Sequence, residues 1–281
     1  MHKKIGLCLT GGGARGAYQI GAMEALEELG LFSQIKAFSG TSIGAANALV
    51  AASTSVQTAK DVWVNMPEEN MPKIKKDKAD QSNKLKRPRF DAGVYSMAVF
   101  EDILRNNTDC DALRKKEVYV TISEGGQADG GLNELVKTTL IHYLKHQSKV
   151  NYVPVHKVED NDTIFKTVIA SSSIPFFFAP VELEDKKFYD GGVYDNVPIQ
   201  PLIDAGCDEI IIIYLHKHFM FNPKKGSQSV TYHEIKHKGL WMGSILKFSE
   251  KQTKKLIQAG YEETMDYFKT KQQKASDEDN D

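Results

Sequence analysis

The segment Gly40-Thr41-Ser42-Ile43-Gly44 places one serine between two glycines. It follows an apolar run from Ile35 to Phe38 and precedes a small-residue run from Ala45 to Ala52, which predicts a turn between a strand and a helix. Glycines two positions on either side of the serine allow a tight backbone that exposes its hydroxyl, and the first amides of the helix favour negative charge beside it. The pattern predicts that Ser42 is an acyl-transfer nucleophile; the alternative is a tight turn whose serine caps the helix.

A serine hydroxyl is a poor nucleophile until a neighbouring base removes its proton. We predict that Asp190 is this base, because it ends one arm of a predicted hairpin and is followed by Gly191 and Gly192. The two glycines let the chain turn without crowding the carboxylate. An ordinary Asp-Gly turn has the same sequence, so the assignment depends on the two segments meeting in space.

His216 is the rival base, since it follows the apolar strand predicted from Ile210 to Leu215 and would lie at the edge of a sheet. Ser42, Asp190 and His216 also occur in the chain order of the α/β-hydrolase triad. That fold places several strands before its nucleophile, whereas Ser42 follows only the second predicted strand. His216 also begins a polar His-Lys-His segment, so the pair of Ser42 with Asp190 is preferred to the triad.

A glycine loop lies between the first predicted strand, Ile5 to Leu9, and the helix that follows it. Gly11, Gly13 and Gly16 match the GxGxxG pattern of dinucleotide-binding proteins, but the second strand ends without the acidic residue that would bind a ribose. The other use of such a loop is an oxyanion hole made of exposed backbone N–H groups. Because neighbouring parallel strands end at the same sheet edge, we expect this loop and Ser42 to face one pocket.

Strands and helices alternate around these motifs, which predicts an α/β fold with parallel strands beneath covering helices. Predicted strands are Ile5 to Leu9, Ile35 to Ser39, Val118 to Ile122, Val150 to Val155, a hairpin of Val181 to Leu183 with Lys187 to Tyr189, and Ile210 to Leu215. A loop is predicted from Gly125 to Gly131, and Trp241 to Lys271 is predicted to form one or two amphipathic helices before a frayed acidic tail, Ser276 to Asp281.

The chain has 281 residues and a formal charge of −1, so no global field attracts nucleic acid or acidic membranes. Eight Lys or Arg residues stand between Lys73 and Arg89, in a segment predicted to be either a solvated loop or a patch that contacts phosphate head groups. The three cysteines are far apart without CxxC spacing, which favours reduced thiols and a cytoplasmic location.

His233-Glu234-Ile235-Lys236-His237 has the HExxH spacing of a zinc site. No third ligand occurs in a recognisable second motif, Leu240 replaces the glycine of the extended motif, and neighbouring lysines would repel a dication. The sequence therefore predicts no metal centre here.

The chain resembles the patatin-like phospholipases. The resemblance rests on the Gly11 to Gly16 loop with Arg15, on Gly40 to Gly44, on the Ala170 to Pro175 segment with Phe178 to Val181, and on Asp190-Gly191-Gly192 leading to Asn196-Val197-Pro198. These motifs occur in the family's order and span about residues 4–215, with a basic insert at about 66–90, and leave 216–281 as a C-terminal helical region with an acidic tail.

The resemblance implies a three-layer α/β/α fold with a mainly parallel central sheet. It implies hydrolysis of lipid acyl esters by a Ser42-Asp190 dyad, with Gly11, Gly12, Gly13 and Arg15 at the oxyanion hole, and it implies no cofactor or metal. Arg15 would brace the loop or contact a phosphate. The aromatic run Phe176 to Phe178 would line an acyl channel or pack in the core. The alternatives are an esterase with the histidine triad and a non-catalytic lipid-binding protein.

Overall fold

A single mixed sheet, flanked by helices, carries the segments that hold the predicted motifs. The structure is a computed structural model and describes residues 3–66, 97–127, 150–174, 178–183, 185–216, 230–239, 243, 245 and 248–278. Its strands are β1 (Ile5–Leu9), β2 (Ile35–Thr41), β3 (Glu117–Gln127), β4 (Val150–Pro154), β5 (Val181–Leu183), β6 (Lys186–Asp190), β7 (Glu209–Tyr214) and β8 (Thr231–Lys236). Its helices are α1 (Ala17–Glu28), α2 (Ile43–Ser53), α3 (Val56–Val64), α4 (Ala98–Asn106), α5 (Cys110–Leu113), α6 (Asn161–Ser171), α7 (Gln200–Asp204) and α8 (Glu250–Glu278).

The strand order is β5-β6-β3-β2-β1-β7-β8, and β4 also pairs with β3. Strands β1, β2, β7 and β8 and the first part of β3 pair in parallel, whereas β4 and β6 are antiparallel to β3 and β5 is antiparallel to β6. The central strands are apolar and buried on both faces, as a parallel sheet between two helical layers requires. The predicted α/β fold is thus confirmed, with its antiparallel strands gathered at one end of the sheet.

Alternate residues of β1 and β7 enter two separate cores. Leu7 and Ile211 belong to the larger core, which α1, α2, α3, α4, α6 and α8 contribute to. Cys8 and Ile212 point to the opposite side of the sheet and pack with Leu202 of α7. This period of two places helices on both faces and produces the three-layer arrangement.

Helix α8 packs closely against α1, and two glycines make the approach possible. A Cβ at Gly21 would lie 1.8 Å from the carbonyl oxygen of Ile257, and one at Gly260 would lie 2.0 Å from that of Tyr18. The Tyr18 hydroxyl donates to Glu263 at 2.7 Å across the same interface. The C-terminal region is therefore packed onto the helix that follows the glycine loop.

Several sequence-based boundaries differ from the structure. Strand β3 continues to Gln127, so the loop predicted from Gly125 is wrong at its start. The helix predicted from Trp241 begins later, at Glu250, so Gly243, Ile245 and Phe248 are not helical. Strand β8 is a further difference, since the sequence predicts no strand there. The tail predicted to be frayed from Ser276 is helical to Glu278.

Other predictions fall outside the described residues. These are the basic segment Lys73 to Arg89, the aromatic residues Phe176 and Phe177, and the last residues of the acidic tail. In the described part of the chain, no helix combines the length and apolar character needed to cross a lipid bilayer.

Candidate active site

Ser42 occupies a strained turn between β2 and α2. Its φ of 56° and ψ of −127° lie outside the regions that most non-glycine residues adopt, as in the nucleophile turn of serine hydrolases. The flanking glycines are required by close packing, because a Cβ at Gly40 would lie 2.5 Å from the oxygen of Gly44, and one at Gly44 would lie 2.1 Å from that of Leu9. The tight turn inferred from the sequence is therefore present, and its residues leave no room for larger side chains.

The register of β3 brings the two predicted residues together. Thr41, which precedes Ser42, pairs with Thr121 of β3, and Asp190 of β6 pairs with the next residue, Ile122. Strand β4 occupies the other edge of β3 over the same stretch. Strands β2 and β6 therefore lie one after the other along the same edge of β3. The C-terminal end of β6, at Asp190, meets the C-terminal end of β2, at Thr41.

Asp190 contacts Ser42 directly. The Ser42 hydroxyl interacts with its carboxylate, and the backbone N–H of Gly192 donates a 2.7 Å hydrogen bond to it. Asp190 is only 6% exposed, and burial raises the pKa of its carboxyl to about 6, an effect that the Ser42 hydroxyl and the Gly192 amide partly offset. A carboxylate with this pKa is largely ionised at neutral pH and is basic enough to accept a proton.

Ser171, at the end of α6, fixes the backbone of the turn. Its hydroxyl accepts a hydrogen bond from the N–H of Ser42 at 2.8 Å and donates one to the carbonyl of Thr121 at 2.7 Å. The side chain is fully buried, so both bonds are shielded from water. Sequence analysis placed Ser171 in a motif without assigning it a role, because a serine in a run of three serines carries no local sign of this contact.

The glycine loop lies against Ser42, but its three amides differ in their partners. The N–H of Gly11 donates to the side-chain oxygen of Asn196 at 3.1 Å, and a Cβ at Gly11 would lie 3.1 Å from that of Ser42. Within the described residues, no acceptor is recorded for the N–H groups of Gly12 and Gly13. Gly13 has a φ of 55° and lines the cleft beside Ser42. The Gly11 amide is therefore engaged, and Gly13 is the loop glycine in the described lining of the cleft.

Arg15 braces the loop instead of facing the cleft. Its guanidinium donates to the carbonyl of Gly243 at 2.9 Å and lies 3.1 Å from Nδ1 of His216. The backbone N–H of Ala14 donates to the carbonyl of Ile245 at 2.9 Å. His216 thus faces Arg15, and among the described residues it is the Ser42 hydroxyl itself, with no imidazole between, that interacts with Asp190.

A buried polar network holds both ends of the glycine loop. Gln19 donates to the carbonyl of Thr10, before the loop, at 2.8 Å, and Asn47 donates to that of Gly16, after the loop, at 3.1 Å. Asn47 also donates to Gln19 and accepts from the indole N–H of Trp63, both at 2.8 Å. Sequence analysis missed this network, because its members are distant polar residues on apolar helix faces.

Ser42 opens into an apolar cleft of about 60 Å³. The described lining includes Ile43, Phe100, Phe178 and Phe248, so the predicted aromatic contribution is confirmed for Phe178. Ser172 is the other residue in the described lining with a polar side chain, and its hydroxyl is buried without a hydrogen-bond partner among the residues described. The described lining is therefore largely apolar, with hydroxyl groups at Ser42 and Ser172.

The HExxH segment does not form the helical pair that binds zinc. His233 lies in strand β8 and contacts Glu209 at 3.3 Å, whereas His237 follows the strand and contacts Glu263 at 3.1 Å. Four residues of extended chain span about 13 Å, too far for both imidazoles to bind one ion. Across the described part of the chain, no group of three or more His, Cys, Asp or Glu residues is placed to hold a metal ion.

Comparison with known proteins agrees with the fold and the motifs. Residues 7–203 match the model of the patatin-like phospholipase family, and the chain belongs to that family. Two curated relatives, each named Lysophospholipase NTE1, come from two strains of Cryptococcus neoformans var. neoformans serotype D and are 25% identical over 218 residues. The match covers 75% of this chain but only 11% of each relative.

A solved structure has a related fold. The structure of VipD from Legionella pneumophila superposes with a TM-score of 0.54 at 12% sequence identity, covering 96% of this chain and 67% of that one. At this identity the likeness concerns the fold alone.

Proposed function

We propose that this protein is a serine acyl hydrolase that cleaves acyl esters of lipids, as a lipase or phospholipase A does, with Ser42 as nucleophile and Asp190 as base. The proposal rests chiefly on the interaction between the Ser42 hydroxyl and the buried Asp190 carboxylate, in a strained turn that faces an apolar cleft. Membership of the patatin-like phospholipase family and the names of its curated relatives support the same class of reaction.

In the proposed first step, the Ser42 oxygen attacks the ester carbonyl carbon while its proton passes to Asp190. The N–H groups of Gly12 and Gly13 stabilise the tetrahedral oxyanion, since the Gly11 amide is bonded to Asn196. Collapse of this intermediate breaks the bond to the alcohol, which leaves with the proton held by Asp190. The acyl group remains on Ser42.

In the second step, Asp190 takes a proton from water, and the resulting hydroxide attacks the acyl-Ser42 carbonyl. The oxyanion again forms beside Gly12 and Gly13, and its collapse returns the proton to Ser42 and releases a carboxylic acid. Burial of Asp190 suits both steps, because it raises the basicity of the carboxylate while leaving it ionised at neutral pH. The mechanism uses no histidine.

A fluorophosphonate probe tests the nucleophile, and hydrolysis of p-nitrophenyl esters tests turnover. The wild type should be labelled and active, whereas Ser42→Ala should be neither. Asp190→Asn should abolish turnover while His216→Ala retains it. Loss of turnover in His216→Ala with retention in Asp190→Asn would instead support the triad, and an unlabelled, inactive wild type that still binds lipid would support a non-catalytic role.

Two further predictions concern features outside the candidate active site. Membrane contact through Lys73 to Arg89 stays a prediction, and so does the cytoplasmic location. Cosedimentation with anionic and with zwitterionic vesicles tests the first: neutralising the lysines of the segment should weaken binding to anionic vesicles alone.

A further inference from the structure

Asn196 contacts both the glycine loop and the turn that follows Asp190. Its side-chain oxygen accepts from the N–H of Gly11 at 3.1 Å, and its Nδ2 donates to the carbonyl of Gly11 at 3.4 Å. A Cβ at Gly11 would lie 2.5 Å from this side-chain oxygen, so the contact requires glycine at that position. A Cβ at Gly192, whose N–H donates to Asp190, would lie 3.0 Å from the same oxygen. One amide side chain therefore joins the loop to the turn that holds the proposed base.

The two bonds to Gly11 hold two successive peptide units. The N–H belongs to the unit that joins Thr10 to Gly11, whereas the carbonyl belongs to the unit that joins Gly11 to Gly12. The second unit is planar and trans, so the N–H of Gly12 points opposite to the Gly11 carbonyl and therefore away from Asn196. The Asn196 amide thus determines the direction of the Gly12 N–H, one of the two proposed oxyanion donors.

Three bonds hold the backbone on either side of Asn196. The hydroxyl of Thr41, in β2, donates to the carbonyl of Asp195 at 3.0 Å. The Asp195 carboxylate accepts from the N–H of Val197 at 3.0 Å and from the hydroxyl of Tyr152, in β4, at 2.6 Å. The Asn196 side chain is therefore supported from two strands of the sheet, independently of the loop that it contacts.

We propose that Asn196 is a positioning residue, which orients the Gly12 N–H towards the oxyanion of the tetrahedral intermediate at Ser42. This inference rests on the proposed function, since it concerns the oxyanion hole of the same site. An amide whose direction is fixed before the reaction needs no rearrangement when negative charge develops, so it stabilises the transition state more than the bound ester. Asn196 itself does not touch the substrate in this arrangement.

Comparison of p-nitrophenyl butyrate with its thionoester tests this role. The thionoester has sulfur in place of the carbonyl oxygen, and sulfur is a weak hydrogen-bond acceptor, so an oriented N–H favours the oxygen ester. In Asn196→Ala, we expect kcat for the ester to fall about tenfold or more, with KM changed by less than about twofold. The ratio of ester to thionoester turnover should fall by a similar factor, whereas a displaced Asp190 would slow both substrates and leave the ratio unchanged.

Asn196→Asp is a second variant of nearly the same size. It keeps an acceptor for the Gly11 N–H but cannot donate to the Gly11 carbonyl as a carboxylate, so we expect the ratio of ester to thionoester turnover to fall here too. The new charge near Asp190 affects both substrates alike and does not enter the ratio.

Tyr152→Phe is the matched control. It removes the bond to Asp195, the neighbour of Asn196 in the same segment, and leaves both bonds to Gly11 in place. We expect this variant to unfold at a lower urea concentration than the wild type, with an ester-to-thionoester ratio within about twofold of the wild-type value. It separates a general loosening of the segment from a change in the direction of the Gly12 amide.

NMR tests the orientation without turnover. With ¹³C at the carbonyl and ¹⁵N at the amide of every glycine, a correlation between the two appears only for a glycine that follows another glycine. These are Gly12, Gly13, Gly126, Gly131 and Gly192. The Gly12 signal reports the Gly11 carbonyl and the Gly12 N–H together, and it should shift in Asn196→Ala and stay in place in Tyr152→Phe.

The outcomes separate the two proposals. Absence of Ser42-dependent hydrolysis would overturn the proposed function and with it any role in an oxyanion hole, whereas the Gly12 signal would still decide whether Asn196 holds this peptide unit. If hydrolysis is present but the ester-to-thionoester ratio is unchanged in both Asn196 variants, or the Gly12 signal does not move in Asn196→Ala, the inference about Asn196 is wrong.

Discussion

The backbone N–H of Ser42 donates a 2.8 Å hydrogen bond to the hydroxyl of Ser171, 129 positions further along the chain. The same hydroxyl donates to Thr121 of β3, the residue beside the one that pairs with Asp190. One buried side chain thus connects the turn that carries the proposed nucleophile to the strand that positions the proposed base. Ser171 is a positioning residue in this arrangement.

We predict that Ser171→Ala lowers kcat more than it changes KM. The substitution leaves the Ser42 N–H and the Thr121 carbonyl without their partner, and we expect a loss of about 2 kcal/mol in the free energy of unfolding. Ser173→Ala is the matched control, because the Ser173 hydroxyl is equally buried and donates only to the Ile169 carbonyl of α6, while the bond from the Asp190 N–H to the Ser173 carbonyl is kept in the variant. Equal kcat values for the two variants, measured on one ester, would contradict the positioning role.

The pH dependence of turnover should follow Asp190. Because only the ionised carboxylate accepts the proton of Ser42, kcat/KM should fall about tenfold per pH unit below a midpoint near the pKa of about 6. A pH profile of ester hydrolysis, repeated with His216→Ala, measures this midpoint. A profile that loses its acid limb in His216→Ala would assign the titration to the histidine.

Asp190→Asn should raise stability while it abolishes turnover. The folded-state pKa of Asp190 lies above the ordinary value of an aspartate, so folding favours the protonated form, and its contribution is lost as the pH rises through about 6. The variant should therefore be more stable than the wild type by up to about 3 kcal/mol at pH 8 and equally stable near pH 4. Urea unfolding at both pH values measures the difference, and a gap that is the same at both would contradict this account.

Ser172→Ala should affect stability and activity differently. The Ser172 hydroxyl is buried in the cleft without a partner in the described residues, so its removal should leave the free energy of unfolding unchanged or raise it by about 1 kcal/mol. If the hydroxyl bonds to the polar end of the bound ester, kcat/KM should fall by about tenfold. Thermal unfolding and ester hydrolysis test this pair of effects; a destabilised variant with full activity would show the hydroxyl to be structural.

Local sequence patterns were sufficient to predict the turn at Ser42, the strand before it and the helix after it. Apolar runs such as Ile210 to Ile213 are specific for a buried parallel strand, and two glycines around a serine are specific for a tight turn. The hairpin that ends at Asp190 was also predicted, because turn residues separate its two short arms.

Contacts between distant segments were not predictable in the same way. Strand β8 alternates weakly and contains charged residues, and it is a strand because it pairs with β7. The engagement of Gly11 by Asn196 depends on two loops that the sheet brings together across 185 positions. No local pattern encodes such a contact. The sequence therefore suggested that the amides of Gly11, Gly12 and Gly13 are equivalent, whereas in the structure the Gly11 amide is bonded to Asn196.

The bonds that brace the glycine loop also bear on where this chain can be cut. Gly243 and Ile245 supply carbonyls to Arg15 and Ala14, yet both lie beyond the family match, which ends at residue 203. Truncation at that limit would retain Ser42 and Asp190 but remove these two acceptors and the helix packed on α1. The range of the family match is therefore shorter than the segment needed to support the glycine loop.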